Sequence, residues 1–317
     1  MANEPWKSLT DDYFEPDETD IIYDAPNKRP KLVYCWRAHH RHNQKTFVFK
    51  SIHTSQIDNL NEELKLTRFF TKLDHPHLTH VYDVIHPRGS EWIHYQMEYC
   101  EAKSLSYYLK EPLPEKRCLE LIRQILEGLD YLHQNYLVHR DIKPDNIFFC
   151  KDGILKVGDY GLVKSQKWVT SLSAVGTPGY WAPEMQPDAS PELHGKRNHR
   201  ADLYSVGIIL RQMVSGKYPP FSAQKEPPKG VRPGLWDIIL KATDSEPDKR
   251  FQSARDFFAA LKSYAQPPEE KLLEAIFKMP IEKSAPRKIR RSLTLEKILA
   301  PPGSQGETAP ATGPVTL

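Results

Sequence analysis

Much is absent from this 317-residue sequence. No run of eighteen apolar residues occurs, so no membrane-spanning helix is expected. Residues 1–10 hold no apolar stretch of the kind that marks a secretory leader. Cysteine is scarce. Cys35, Cys100, Cys118 and Cys150 lie far apart and form no C-x-x-C pair. That argues against a zinc site or disulfides and for free thiols in a reducing, cytoplasmic compartment. Neither sign of charge dominates: the net charge is +3, which implies no nucleic-acid partner. No internal repeat is visible. Against these absences, 39% hydrophobic and 10% aromatic residues suffice for a buried core, in one large domain or two ordinary ones.

Chemically informative residues concentrate in His139-Arg140-Asp141-Ile142-Lys143-Pro144-Asp145-Asn146 and in Asp159-Tyr160-Gly161. Asp141 offers a carboxylate that can accept a proton from an attacking hydroxyl. Lys143 can neutralise a transferring phosphoryl group. Asn146 and Asp159 are hard oxygen donors suited to Mg²⁺. Phosphoryl transfer asks a protein mainly for positioning and charge compensation, and these groups supply both. Around them, β-rich runs at 21–23, 32–38, 46–52, 79–86 and 92–98 predict strands. Helical spacing marks 56–73, 104–109, 115–134 and 235–243. Residues 1–19, acidic and polar with two prolines, are expected to form a flexible arm.

The stretch around Asp141 resembles the catalytic loop of eukaryotic-type (Hanks-type) Ser/Thr protein kinases, and Asp159-Tyr160-Gly161 resembles their D-F-G. Further segments match the family in order. Phe47-Val48-Phe49-Lys50 resembles the V-A-I-K strand. Met97-Glu98-Tyr99-Cys100 resembles the hinge, and Ala182-Pro183-Glu184 the A-P-E that closes the activation segment. The wording of Arg250-Phe251-Gln252-Ser253-Ala254 is similar to that of bacterial members. The resemblance implies an α+β, two-lobed kinase fold over residues 20–265: a small β-rich N-lobe over 20–98 and a mainly helical C-lobe over 99–265. It implies ATP and Mg²⁺ as cofactors and transfer of the γ-phosphate to serine or threonine of a protein substrate. Self-association for autophosphorylation is compatible with it, and no nucleic acid or membrane is expected.

The same resemblance assigns roles. Asp141 positions the hydroxyl and takes its proton, Lys143 compensates charge, and Asn146 and Asp159 hold Mg²⁺. Lys50 anchors the α/β-phosphates, although a lysine ending an apolar strand can also be an exposed strand end. Val33, Val48, Met97, Glu98, Cys100 and Phe148 line the nucleotide slot, Met97 as gatekeeper and Phe148 as floor. Arg140 is the implied receiver of a phosphate on Thr170, Ser171 or Ser173, which can equally be ordinary loop hydroxyls. Lys143 together with Thr177 is the Ser/Thr rather than the tyrosine pattern. Glu184 is expected to pair with Arg250, and Asp202 to hold the catalytic-loop backbone.

Three departures stand out. Asp24-Ala25-Pro26-Asn27-Lys28-Arg29-Pro30-Lys31 replaces the glycine-rich phosphate loop. Its prolines remove N–H donors, leaving Lys28, Arg29 and Lys31 either to reach the phosphates or to form a solvated tip. Val48 is two methyls larger than the family's alanine, and Gly158 is expected to return some room. Family spacing puts the glutamate partner of Lys50 at Leu66, whereas Glu62 and Glu63 stand one turn earlier. Either can serve if the helix shifts by about 6 Å; otherwise Lys50 pairs with Asp159, as in inactive kinases. Finally, Pro227, Pro228, Gly230 and Pro233 occupy the place of the substrate-docking helix. Beyond 265 the resemblance ends. The tail, 266–317, carries Leu272, Leu273, Ile276 and Phe277 on one helical face, expected to dock on the large lobe, and ends in a segment of disordered composition.

Two other classes remain. A pseudokinase would explain the missing glycines and displaced glutamate, but Asp141, Asn146, Asp159 and Lys50 are all retained. A small-molecule kinase would share the aspartate and asparagine but has no use for Thr177 and Ala182-Pro183-Glu184, which shape a peptide platform.

Overall fold

The computed structural model describes residues 5–9, 12–13, 16, 21–24, 32–57, 59–150, 153–159, 164–165, 178–219 and 226–265. The chain divides into a compact unit, 1–266, and a second unit, 267–317, which lies outside the described residues. The basic loop with Lys28, Arg29 and Lys31, the hydroxyls Thr170, Ser171, Ser173 and Thr177, and the tail also lie outside them.

Strict alternation builds the first layer. Strands β1 (Ile21–Asp24), β2 (Val33–His39), β3 (Thr46–His53), β4 (Val81–Ile85) and β5 (Trp92–Glu98) form an antiparallel sheet in the order β1-β2-β3-β5-β4. In β2 and β3 every second residue is buried. Tyr34, Trp36, Ala38, Phe47 and Phe49 point to one face, and Val33, Cys35, Val48 and Lys50 to the other. Helix α1 (Leu60–Phe70) lies between β3 and β4 in the chain, after a 3₁₀ turn at Thr54–Gln56. It is shorter at both ends than the periodicity suggested, because apolar spacing does not mark where the hydrogen-bonded turns stop.

The aromatic face of the sheet corrects the expectation of a flexible N-terminal arm. Pro5–Leu9 forms a 3₁₀ turn that buries Trp6 and Leu9. Together with Tyr13 they cover Tyr34, Trp36, Phe47, Phe49 and Trp92. Tyr13 is pinned: its hydroxyl accepts from Gln96 Nε2 at 2.7 Å and its carbonyl from Arg41 Nε at 2.9 Å. Average composition hid this, since three apolar residues at helical spacing sit among acidic ones. An aromatic face this large requires a cover.

The C-lobe is helical. Its described elements are α2 (Leu105–Tyr108), α3 (Glu115–Gln134), α4 (Pro191–His194), α5 (Arg200–Ser215), α6 (Pro233–Ala242) and α7 (Ala254–Ala265). Interleaved are β6 (Leu137–Val138), β7 (Ile147–Phe149), β8 (Leu155–Val157) and β9 (Lys164–Ser165), with β7 paired to β8 and β6 to β9. α3 buries Ile122, Ile125, Leu126, Leu129 and Leu132 against α5, which is buried along nearly its whole length. No helix occupies the described part of the proline-rich stretch, 226–232; α6 begins with Pro233 in its first turn. The α+β, two-lobed architecture expected from the sequence is therefore present. Among the described residues no helix is long and apolar enough to cross a membrane.

The cysteines require a second correction. Cys100 and Cys150 form a disulfide with Cα atoms 4.5 Å apart, while Cys35 and Cys118 are free. Sequence separation, here 50 residues, carried no information about it. The fold lays the end of β5 beside the end of β7, with Phe149 N–H donating to the Lys103 carbonyl at 3.4 Å.

Candidate active site

The site is built where β6, the turn after it, and the β7–β8 hairpin converge. Asp202, fully buried in the first turn of α5, fixes that turn. Its carboxylate accepts from the backbone N–H groups of His139 at 2.9 Å and Arg140 at 2.8 Å, and contacts His133 Nε2 at 2.9 Å. Burial alone would raise this carboxyl, but the His133 bond and the charges of His133 and His139 hold it below its ordinary range. His139 bridges to the Gly158 carbonyl at 2.9 Å, tying the turn to the hairpin. Arg140 and Asp159 both adopt positive φ, 71° and 65°. Such backbone is held only where surrounding contacts over-determine it.

On this frame the candidate groups meet. Asp141 is buried; its Oδ2 accepts from Asn146 Nδ2 at 2.9 Å and pairs with Lys143 Nζ at 3.0 Å. Asn146 Nδ2 also donates to the Asp141 carbonyl at 2.9 Å, so its amide oxygen is the atom offered to a cation. Across the cleft, the Lys50 ammonium is ion-paired and hydrogen-bonded to Asp159 Oδ1. Burial would lower the Lys50 pKa, but Asp159 outweighs it and raises the value above the ordinary one. Of the three partners considered for Lys50, Asp159 is the one seen. Glu63 instead accepts a hydrogen bond from the Tyr95 hydroxyl at 2.7 Å. The Glu62 side chain lies outside the described residues.

The nucleotide-lining candidates flank this cluster. Val48 lies opposite Met97, which is buried, and Val33 and Val48 share the face that carries Lys50. Glu98 accepts from Lys156 Nζ at 2.8 Å and from His80 N–H at 3.1 Å, so its side chain braces the hinge. Cys100 is tied to Cys150 just beyond, and Phe148 forms a bridge with Ser104. The room expected at Gly158 is taken: a Cβ there would meet Thr79 Oγ1 at 2.8 Å and Phe148 Cε2 at 3.1 Å. Glu184 and Arg250, both fully buried, are brought together as a two-pronged pair at 2.7 and 2.8 Å.

Two residues went unnoticed in the sequence. Cys35 lies directly opposite Lys50 and faces the cleft; burial pushes its thiol up to about 11, with Lys50 opposing the rise and Asp159 adding to it. Tyr95 also lies opposite Lys50, on β5. Strand alternation puts Tyr95 on the face of Met97 and Cys35 on the face of Val33, but only the register of the sheet sets each opposite Lys50.

Comparison with known proteins agrees with this geometry. The protein kinase domain model matches residues 32–278. This chain belongs to the protein kinase family. It is 29% identical over 248 residues to a probable serine/threonine-protein kinase of Clostridium perfringens, covering 70% of this chain and 35% of that one. It is 31% identical over 215 residues to the serine/threonine-protein kinase PrkC of Bacillus subtilis, covering 61% and 32%. To the serine/threonine-protein kinase atg1 of Dictyostelium discoideum it is 35% identical over 222 residues, covering 63% and 31%. The chain thus spans about a third of the length of these relatives. Kinases of this family use ATP and Mg²⁺. The donor set fits the ion, since Mg²⁺ takes one or two protein oxygens and completes its shell with phosphate and water. Among the described residues no cluster of three or more His, Cys, Asp or Glu suits a more demanding metal.

Proposed function

We propose that this chain is an ATP-dependent serine/threonine protein kinase, acting in the cytoplasm where ATP is supplied although the Cys100–Cys150 bond is unusual for that reducing compartment, with its catalytic domain over residues 20–265 and a regulatory tail after it. The observation that carries the reading is the cluster of Asp141, Lys143 and Asn146 facing Asp159 and Lys50. In this reading Asp141 orients the substrate hydroxyl and accepts its proton, and Lys143 offsets charge on the transferring group. Asn146 and Asp159 would hold Mg²⁺, which would supply charge neutralisation to the phosphates, and Lys50 would leave Asp159 to anchor them. Cys100 and the backbone around Glu98 face adenine, above Phe148. Arg140 receives a phosphate from Thr170, Ser171 or Ser173, which orders the segment before Thr177. Protein serines and threonines are the substrates, including those of a second copy of the chain.

Incubation with Mg²⁺-ATP should yield phosphate incorporation, mapped by mass spectrometry to at least one of Thr170, Ser171 and Ser173. Asp141→Asn and Asp159→Asn should each abolish it with unchanged unfolding midpoints. Undiminished incorporation in either variant would overturn the assignment of roles. A wild-type protein that binds nucleotide without transferring phosphate would make this chain a pseudokinase.

A further inference from the structure

The resting pair of Lys50 with Asp159 cannot survive productive binding, because the metal needs Asp159 and the phosphates need Lys50. A lysine is a point charge on a flexible stem, and once drawn off Asp159 it stays aimed at the phosphates only if another carboxylate holds it. At the position where family spacing puts that carboxylate stands Leu66, which has none.

The phase of α1 shows where the substitute is. Thr67 and Phe70 are buried and Asn61, Lys65 and Arg68 are exposed, so the inward stripe runs through Glu63, Thr67 and Phe70 at i, i+4 and i+7. Glu63 therefore enters the interior side of the sheet one turn before the expected place. There its Oε1 meets the Tyr95 hydroxyl at 2.7 Å. Tyr95 is 3% exposed and is the cross-strand partner of Lys50. Directly opposed residues carry Cβ atoms about 5 Å apart on one face of a sheet. The carboxylate bound at the Tyr95 hydroxyl thus lies on the sheet face that carries Lys50, over the strand position next to it.

We infer that Tyr95 is a positioning residue of this kinase, holding the displaced Glu63 carboxylate where Lys50 can pair with it once nucleotide and metal take Lys50 from Asp159. This rests on the proposed activity only for the role of Lys50 in binding phosphates. A carboxylate has about four lone-pair positions, so it can accept from a phenol and an ammonium together. Burial first, then the charge of Glu63, push the Tyr95 phenol above its ordinary range, so it remains a donor at every working pH. The arrangement also accounts for a tyrosine hydroxyl inside an otherwise apolar cluster of Phe70, Leu78, Ile93 and Met97.

The test is calorimetric titration of the full chain with Mg²⁺ and a non-hydrolysable ATP analogue. Tyr95→Phe removes only the hydroxyl and keeps the ring packing. It should weaken binding about tenfold, the loss of one charge-assisted contact. Glu63→Gln keeps an acceptor for Tyr95 but loses the charge, and should weaken binding equally while its unfolding midpoint stays at the wild-type value. The double variant should be no weaker than either single one, because the two side chains act as a unit. Wild-type affinity in Tyr95→Phe, additive losses in the double variant, or absence of nucleotide binding by the wild type would each overturn the inference. The expected binding pattern without phosphate transfer would refute the proposed activity and leave Tyr95 in its role.

Discussion

At the scale of the residue, the Glu184–Arg250 pair joins the end of the activation segment to the turn before α7 with no exposure on either side chain. Arg250 also donates to the carbonyls of Asp244 at 2.7 Å and Ser245 at 3.2 Å. Removing one member leaves a buried charge uncompensated. Glu184→Gln is therefore expected to cost about 3–5 kcal/mol in denaturant unfolding, and a loss under about 1 kcal/mol would show that the charge is not needed. The groups proposed to react could be picked out because they are contiguous: Asp141, Lys143 and Asn146 lie within six residues, and Glu184 and Arg250 belong to named motifs. Tyr95 and Cys35 could not be, since their relation to Lys50 exists only in the register of a sheet. Glu63 was legible as a candidate, but the phase of α1, not spacing, decides which way it points.

At the scale of the element, the five-stranded sheet has two differently built faces. One carries Lys50; the other is an aromatic layer with a polar chain through it, in which Trp36 Nε1 donates to Ser51 Oγ at 3.0 Å and Ser51 Oγ meets His94 Nδ1 at 2.9 Å. Burial, helped by His86, pushes the His94 imidazole down to about 4. Below the ordinary value near 6.5 the unfolded chain takes up a proton that the folded chain refuses. Stability should therefore fall as pH drops from about 6.5 to 4, by roughly 3 kcal/mol at most from this group. Denaturant midpoints across that window test this, and His94→Asn should flatten the slope; an unchanged slope would exclude His94 as the source. The strands of this sheet were readable from alternation. Its cover, Trp6, Leu9 and Tyr13, was not, because composition over residues 1–19 averages three anchors into an acidic background.

At the scale of the whole molecule, the two lobes of the kinase meet through the hinge that follows β5, and the Cys100–Cys150 disulfide ties that hinge to the end of β7. It closes a loop with a sequence separation of 50, which corresponds to as much as about 4 kcal/mol of loop-closure entropy. Thiol titration of the unfolded, unreduced chain should count two cysteines, Cys35 and Cys118, and four after reduction, with a lower unfolding midpoint; four without reduction would show the pair to be open. The order of lobes was plain from the sequence, where β-rich runs precede helical ones. The bond across the hinge was not, since nothing along the chain reports that two strand ends touch. The aromatic layer has one more consequence, an optical one. Three of the six tryptophans, Trp6, Trp36 and Trp92, share that single cluster, and the rings of Trp6 and Trp36 lie 6.1 Å apart. Indoles that close couple their transitions, so the small lobe has its own near-ultraviolet dichroism, set apart from Trp181 and Trp236 in the large lobe. Undocking of the Pro5–Leu9 turn can therefore be followed by light alone, without a label and without any substrate.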